Sequence, residues 1–247
     1  MKKLSLLFSM LIIMLLSVSL QQAKAQTIWD GTADASWYDA SQTSFDISTP
    51  EEFAGVAQLV NNGTTDFSGK VINLLSDLWL NAMSDSTNNW TPIGGDPAAT
   101  SEMGSSSSRK DFKGTLHGHG HVIYNLYCDR TSTYFQAGLF GSICGATVDS
   151  IAFINPTCKA KGMIGVIAGA AAVGGNDVFN DIMIINARII GTSSGNNIGC
   201  FVGATYNLSS NTLTATNCSA TGYVYGNYPG GFGGNCEPSI YNNCYFN

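Results

Sequence analysis

The sequence predicts an all-β chain, a right-handed parallel β-helix (solenoid) with a short helix-containing cap at its N-terminal side. Three observations predict it. First, a glycine-bounded apolar segment recurs, as Gly138-Leu139-Phe140-Gly141, Gly165-Val166-Ile167-Ala168-Gly169, Gly199-Cys200-Phe201-Val202-Gly203 and Gly230-Gly231-Phe232-Gly233-Gly234. Its closing glycines, 141, 169, 203 and 234, are 28, 34 and 31 residues apart. Second, a small polar residue precedes an apolar one at Asn125-Leu126, Ser150-Ile151, Asp181-Ile182, Asn217-Cys218 and Asn243-Cys244, with gaps of 25, 31, 36 and 26. Self-similarity at this period marks a stacked repeat array. Third, the repeats are rich in Gly, Asn, Ser, Thr and β-branched residues and poor in strong helix formers, which favours strands.

Stacking follows from the size of one repeat. Ile151-Ala152-Phe153 and Ile182-Met183-Ile184 alternate large residues at a period of two, which places them on one strand face. One rung cannot bury that face alone, whereas coils ~4.8 Å apart share a continuous core. Parallel crossovers are right-handed by a wide margin, so a right-handed coil of three strands is expected. A β-propeller is the structural rival. Irregular gaps and the lack of a repeated blade signature count against it.

The chain begins with Lys2 and Lys3, an apolar run from Leu4 to Leu20, and Ala23-Lys24-Ala25. A basic stretch, an apolar stretch and an A-x-A site read as a secretory signal peptide over residues 1–25. An exported chain is thus predicted, with the outside of the cell or its surface expected ahead of the periplasm. The alternative is an uncleaved anchor, since the run nears the ~20 residues a span needs. No other stretch is long and apolar enough to cross a membrane. Removing Lys2, Lys3 and Lys24 leaves eight basic residues against seventeen acidic ones, a net charge of about −9. Nucleic acid and anionic membrane surfaces are therefore poor partners.

Residues 26–66 form the expected cap. Thr49, Pro50 and Glu52 spell a capping box with proline at the first helical position, predicting a helix over residues 50–61. Phe53, Val56, Ala57 and Val60 give it one apolar face, and Gly63 suits its stop. Residues 67–247 are the expected solenoid, its first long strand running from Val71 to Leu80. Residues 81–110, with the serine run Ser105 to Ser108, read as a loop insertion. Trp90 is the residue in it expected to pack on the first coils.

Further residues now carry a resemblance. Trp90-Thr91-Pro92-Ile93-Gly94, Phe112-Lys113-Gly114-Thr115-Leu116 and Gly118-His119-Gly120-His121-Val122-Ile123-Tyr124-Asn125-Leu126 lead into Gly138-Leu139-Phe140-Gly141. Together they resemble the GLUG-motif family of bacterial secreted and cell-surface proteins, over roughly Phe67 to Asn247. Proteins of that kind are mostly adhesin-like or uncharacterised, and some are non-catalytic segments of larger proteins such as immunoglobulin A metallopeptidases. The resemblance implies architecture and location, with no consensus catalytic residue and no cofactor.

Several constellations are candidate sites. Tyr223, Tyr225, Tyr228 and Phe232 cluster, with Tyr241, Tyr245 and Phe246 one coil on; Tyr124, Tyr127, Tyr134 and Phe135 form another group. Tyr223 and Tyr225 share a face, either covering a sheet or forming a flat platform for sugar rings or protein strands. His117, His119 and His121 alternate, so on one strand they share a face at about 7 Å per step. They could hold a zinc with a third ligand, or be structural and turn residues. A carbohydrate-active enzyme would need grouped carboxylates. Asp149, Asp177, Asp181, Glu237 and Arg188 are available, and Asp149 and Asp181 could fall on neighbouring coils.

The seven cysteines, an odd number at irregular spacing, do not form a disulfide framework. Cys218 and Cys244 take the slot of Leu126, Ile151 and Ile182, as small core residues would. Asn242 to Asn247 begins a new rung, an edge open to end-to-end self-association. The functional expectation is a non-catalytic binding or adhesion module for glycan or host protein. The alternatives are a carbohydrate-active enzyme and a passive spacer within a larger surface protein.

Overall fold

The computed structural model describes residues 27–95, 109–132, 136–171, 173–193, 197–205 and 211–247. The signal segment, the serine run of the insertion, Tyr134 and Phe135 lie outside them. The described chain is a parallel β-solenoid of about five turns with one short helix. Alternation along each rung builds its core. Phe45, Ile72, Leu116, Val148, Phe179 and Ala215 occupy the same register position on successive rungs, and all are buried. A second column runs Leu78, Ile123, Phe153, Ile184, Ala220, and a third Cys128, Cys158, Ile189. Each buried aliphatic or aromatic side chain contributes about 1.5–3 kcal/mol, but only while its neighbours above and below are in place.

Polar residues at left-handed backbone angles turn the strands from face to face. Ser150, Asp181, Asn217 and Asn243 have φ of 53°, 53°, 55° and 52° and form one corner; Asn125, Asn155 and Asn186, at 54°, 55° and 56°, form the next. Asn and Asp enter this region more readily than other side-chain-bearing residues because they bond locally. Their amides also bond along the stack. Asn243 Nδ2 donates to Asn217 Oδ1 at 2.8 Å, and Asn217 Nδ2 to Asp181 Oδ1 at 3.1 Å. In the second corner Asn186 Nδ2 donates to Asn155 Oδ1 at 2.8 Å, Asn155 Nδ2 to Asn125 Oδ1 at 3.3 Å, and Asn125 Nδ2 to the Asn81 carbonyl at 2.9 Å. This corrects one member of the polar-apolar series. Asn125 belongs to the second corner, so its distance to Ser150 is a step along a coil rather than a rung repeat.

The expectation of three strands per coil needs refining. Each coil follows one bent sheet over successive faces and then passes through two short sheets. One contains Gln136–Ala137, Met163–Ile164, Ile198–Gly199 and Pro229–Gly230, and the other Phe140–Ser142, Ala168–Ala171, Val202–Thr205 and Gly233–Asn235. In the second, Phe140, Ala168, Val202 and Gly233 are register partners, reproducing the 28, 34 and 31 spacing of the glycine motif. The expected strand Val71 to Leu80 is likewise two strands, Val71–Leu74 and Leu78–Trp79, because the coil turns between them and leaves Leu75 exposed.

The helix is Pro50–Asn61, with both halves of the capping box formed: Glu52 N donates to Thr49 Oγ1 at 3.2 Å and Thr49 N to Glu52 Oε2 at 3.1 Å. Phe53, Val56, Ala57 and Val60 are buried in the same apolar cluster as the solenoid columns. Ser44–Ile47, before the helix, already pairs in parallel with Val71–Leu74 as a rung. In the insertion, Trp90 is 1% exposed and Ile93 bridges Phe140, so residues 90–93 are packed chain rather than open loop. Residues 96–108 lie outside the described residues. No helix among the described residues is long and apolar enough to cross a membrane.

All seven cysteines are free thiols, and Cys128, Cys158, Cys200 and Cys218 are buried. Burial pushes the Cys200 and Cys218 thiols up to about 12 and Cys236 to about 11, and raises Cys128 and Cys158 too. Unfolded thiols ionise near 9. The stability these neutral thiols contribute is therefore intact below pH 9 and is lost as pH rises toward 11–12. The urea midpoint is expected to fall between pH 8 and pH 11, with iodoacetamide leaving the buried thiols unlabelled in the native state at pH 8. An unchanged midpoint would contradict this account.

Candidate functional site

The second corner positions a groove. Its floor is the ladder Asn125, Asn155 and Asn186, and one wall is the outward face of the strands that follow: Tyr127–Arg130, Thr157–Ala160 and the Arg188 end of Asp177–Gly191. The facing lip is Met83 to Ser86, from the start of the insertion. The volume is about 530 Å³. Alternation decides what the wall presents. Cys128, Cys158 and Ile189 point into the core, so Tyr127, Asp129, Thr157, Lys159 and Arg188 point out.

The polar groups on this wall are unevenly partnered. Lys159 Nζ lies 3.2 Å from Tyr127 Oη, 3.6 Å from Asp129 Oδ2 and 5.0 Å from the Tyr127 ring centroid. Burial opposes ionisation of Asp129, but hydrogen bonds from Thr131 and Tyr127 and the Lys159 charge outweigh it and hold the carboxyl below its ordinary pKa. Arg188 is exposed and its guanidinium has no ion-pair partner among the described residues. Across the groove, Asp85 accepts from Thr87 N at 3.0 Å and Thr87 Oγ1 at 2.6 Å; these bonds, the hydroxyl's first, keep it ionised.

The aromatic pair continues the same wall. Tyr223 is the register partner of Arg188, and Tyr225 that of Ile190, one rung along. Tyr223 and Tyr225 are 57% and 59% exposed, with ring planes 7° apart and centroids at 6.2 Å. Tyr228 is exposed at a left-handed corner of φ 52°. Phe232 does not join them. It is partly buried, stacked on Phe201 at 3.9 Å and edge-on to Tyr241 at 4.9 Å. Ile240, Tyr241, Tyr245 and Phe246 are exposed on the last described coil.

The histidines occupy three different settings. The strand Thr115–His117 ends at His117, His119 sits in a turn at φ 52°, and His121 precedes the strand Val122–Tyr124. His117 Nδ1 is 2.7 Å from Asp149 Oδ2, His119 Nε2 3.1 Å from Asn73 Oδ1, and His121 Nδ1 3.1 Å from Asp77 Oδ1. The rings of His117 and His119 are 5.8 Å apart. Among the described residues no three His, Cys, Asp or Glu side chains are grouped to hold a metal ion.

Asp149 and Asp181 fall on neighbouring coils, as their spacing suggests, but each is held by a different partner. Asp149 is in register with Asn180 and pairs with His117. Asp181 accepts from the Asn217 amide in the corner ladder. Asp177 is buried and accepts from Ala146 N at 2.7 Å. A second polar hollow of about 500 Å³ beside the cap contains Arg109, Lys110 and Lys113, but Arg109 pairs with Asp111 at 2.8 Å and Lys113 with Asp66 at 2.9 Å. Sequence reasoning found the tyrosines but missed the groove. The signal was the polar residue two places after each second-corner asparagine, Tyr127, Thr157 and Arg188, hidden while Asn125 was grouped with the first corner.

Fold and wall together define the class: a parallel β-solenoid bearing a groove lined by asparagines and charged side chains, with exposed tyrosines on the adjoining rung. No family model and no curated protein matches the chain. Among solved structures, a Bacteroides ovatus protein named "putative immunoglobulin A1 protease", a crystal structure at 1.30 Å, aligns with a TM-score of 0.39 and 15% identity, covering 81% of this chain and 74% of that one.

Proposed function

We propose that the chain is an exported, non-catalytic binding module of the GLUG-motif kind, which recognises glycan at a bacterial cell surface or outside the cell. The observation that carries the reading is the register pairing of Arg188 with Tyr223. It makes the asparagine groove and the two parallel tyrosines one strip. Aromatic faces stack on the apolar faces of sugar rings, and amides and hydroxyls match ring hydroxyls. Rungs stacked along one face offer successive positions to a chain of sugars. Asp149, Asp177 and Asp181 are engaged in corner and strand contacts, and at the groove Asp129 is held by Lys159 and Tyr127 and Asp85 by Thr87.

The test is retention of the purified chain on an array of polysaccharides, mucins and extracellular-matrix proteins, with product release followed in the same wells. Retention on glycan without products is the expected result. Replacing both Tyr223 and Tyr225 by alanine should weaken it by about tenfold or more, since each stacked ring contributes roughly 0.5–1.5 kcal/mol beyond its area. Retention on no glycan, or release of shortened products, would sink the reading.

A further inference from the structure

Resting on that reading, we infer that the groove takes a sugar bearing an anionic substituent, a carboxylate or a sulfate, and that Arg188 seats the anion. Arg188 is a cation without an ion-pair partner among the described residues, and it lines the groove. Lys159, one rung below and two residues along, lies ~8 Å from Arg188 between Cα atoms. It is already shared between Asp129 and the Tyr127 hydroxyl. Arg188 lacks such a partner among the described residues, and its planar fork fits two oxygens of a carboxylate or sulfate at once.

The surroundings set the orientation. The asparagine ladder donates in one direction and ends at Asn186, whose Oδ1 accepts no bond among the described residues and so remains for a sugar hydroxyl. Asp85, on the opposite lip, repels a second anion there while accepting hydroxyls. An acidic sugar therefore lies with its charged substituent toward Arg188 and its hydroxyl edge toward Asp85. Tyr223, in register beside Arg188, covers the next ring of the chain.

The experiment compares two matched pairs by titration calorimetry: oligogalacturonate with its methyl ester, and dextran sulfate with dextran. The expected result is that the intact protein binds at least one acidic member about tenfold more tightly than its neutral counterpart, the factor that ~1.4 kcal/mol confers. Arg188→Gln is expected to abolish that preference without moving the thermal midpoint, because the side chain is exposed. Arg188→Lys should restore part of it, and added salt should shrink it. Equal binding within both pairs, or a preference that survives in Arg188→Gln, overturns the inference and leaves glycan binding standing. Binding to neither pair nor to any glycan of the array removes both.

Discussion

Replacing Trp90 by alanine is expected to lower the unfolding free energy by about 3–5 kcal/mol, the range for deleting a fully buried large aromatic side chain. The residue sits where three parts of the chain meet. Its ring stacks on Phe53 of the helix at 5.5 Å and 19°, and meets Trp29 edge-on at 5.5 Å. Its indole N–H donates to the Leu139 carbonyl at 3.0 Å, and its backbone N–H to the Tyr127 carbonyl at 2.7 Å. Arg130 donates from its guanidinium to the Trp90 carbonyl. Truncation opens a void against the helix and removes one of the two donors to the Leu139 carbonyl, which keeps the Ile93 N–H. The loss is a large fraction of the ~5–15 kcal/mol that stabilises an ordinary domain. Hydrogen exchange is the direct readout. Amides of Pro50–Asn61 should lose protection in the variant before those of Asp177–Gly191. An unfolding free energy from urea titration within about 1 kcal/mol of the parent protein's would refute this role for Trp90.

Gly203→Val is expected to prevent folding or to cost more than about 3 kcal/mol, the upper range of overpacking. A Cβ at Gly203 would lie 2.4 Å from Ile164 N and 2.7 Å from the Gly169 carbonyl oxygen, both backbone atoms of the adjacent coil. Neither can give way without breaking the rung beneath it. The same closeness recurs at Gly165, where a Cβ would meet the Phe201 carbonyl oxygen at 2.4 Å and that of Ala168 at 2.6 Å. The glycine motif is thus a place where the two short sheets approach with no side chain between them. Gly174→Ala is the control, since only the Cys144 Sγ lies near, at 3.2 Å. Its thermal midpoint should stay close to that of the parent. A folded Gly203→Val protein of parental stability would show that the short sheets are not packed backbone to backbone.

The two corners explain why part of the design was legible and part was not. The 28, 34 and 31 spacing of the glycine motif matches the rung pairing of Phe140, Ala168, Val202 and Gly233, because steric exclusion leaves glycine as the residue that fits. The helix was equally readable, since a capping box is a contact between residues three apart and needs no tertiary partner. The corner asparagines were harder. Asn125 and Asn217 solve the same local problem, a left-handed turn before an inward apolar residue, so the chain looks alike at both. Only the ladder that bonds Asn125 to Asn155 and Asn155 to Asn186 assigns them to separate edges.

The histidines show the complementary error. Alternation in the sequence implies one row only while the strand continues; it stops at His117, and although the His117 and His119 rings stay 5.8 Å apart, the three side chains go to Asp149, Asn73 and Asp77. Phe232, grouped with the tyrosines by proximity in sequence, turns inward because it belongs to the glycine motif, whose apolar residue stacks on Phe201.

By itself the sequence determined the quantities that depend on neighbours along the chain: strand alternation, the helix and its cap, the spacing of the glycines, and the acidic balance. Tertiary structure decided which rung lies over which, and hence that Met83 to Ser86 face the asparagine ladder and that Arg188 lies beside Tyr223. Those residues are separated by tens of positions and by coils of unequal length. Register in a stacked sheet is set by how whole rungs fit together, and no local pattern carries that information.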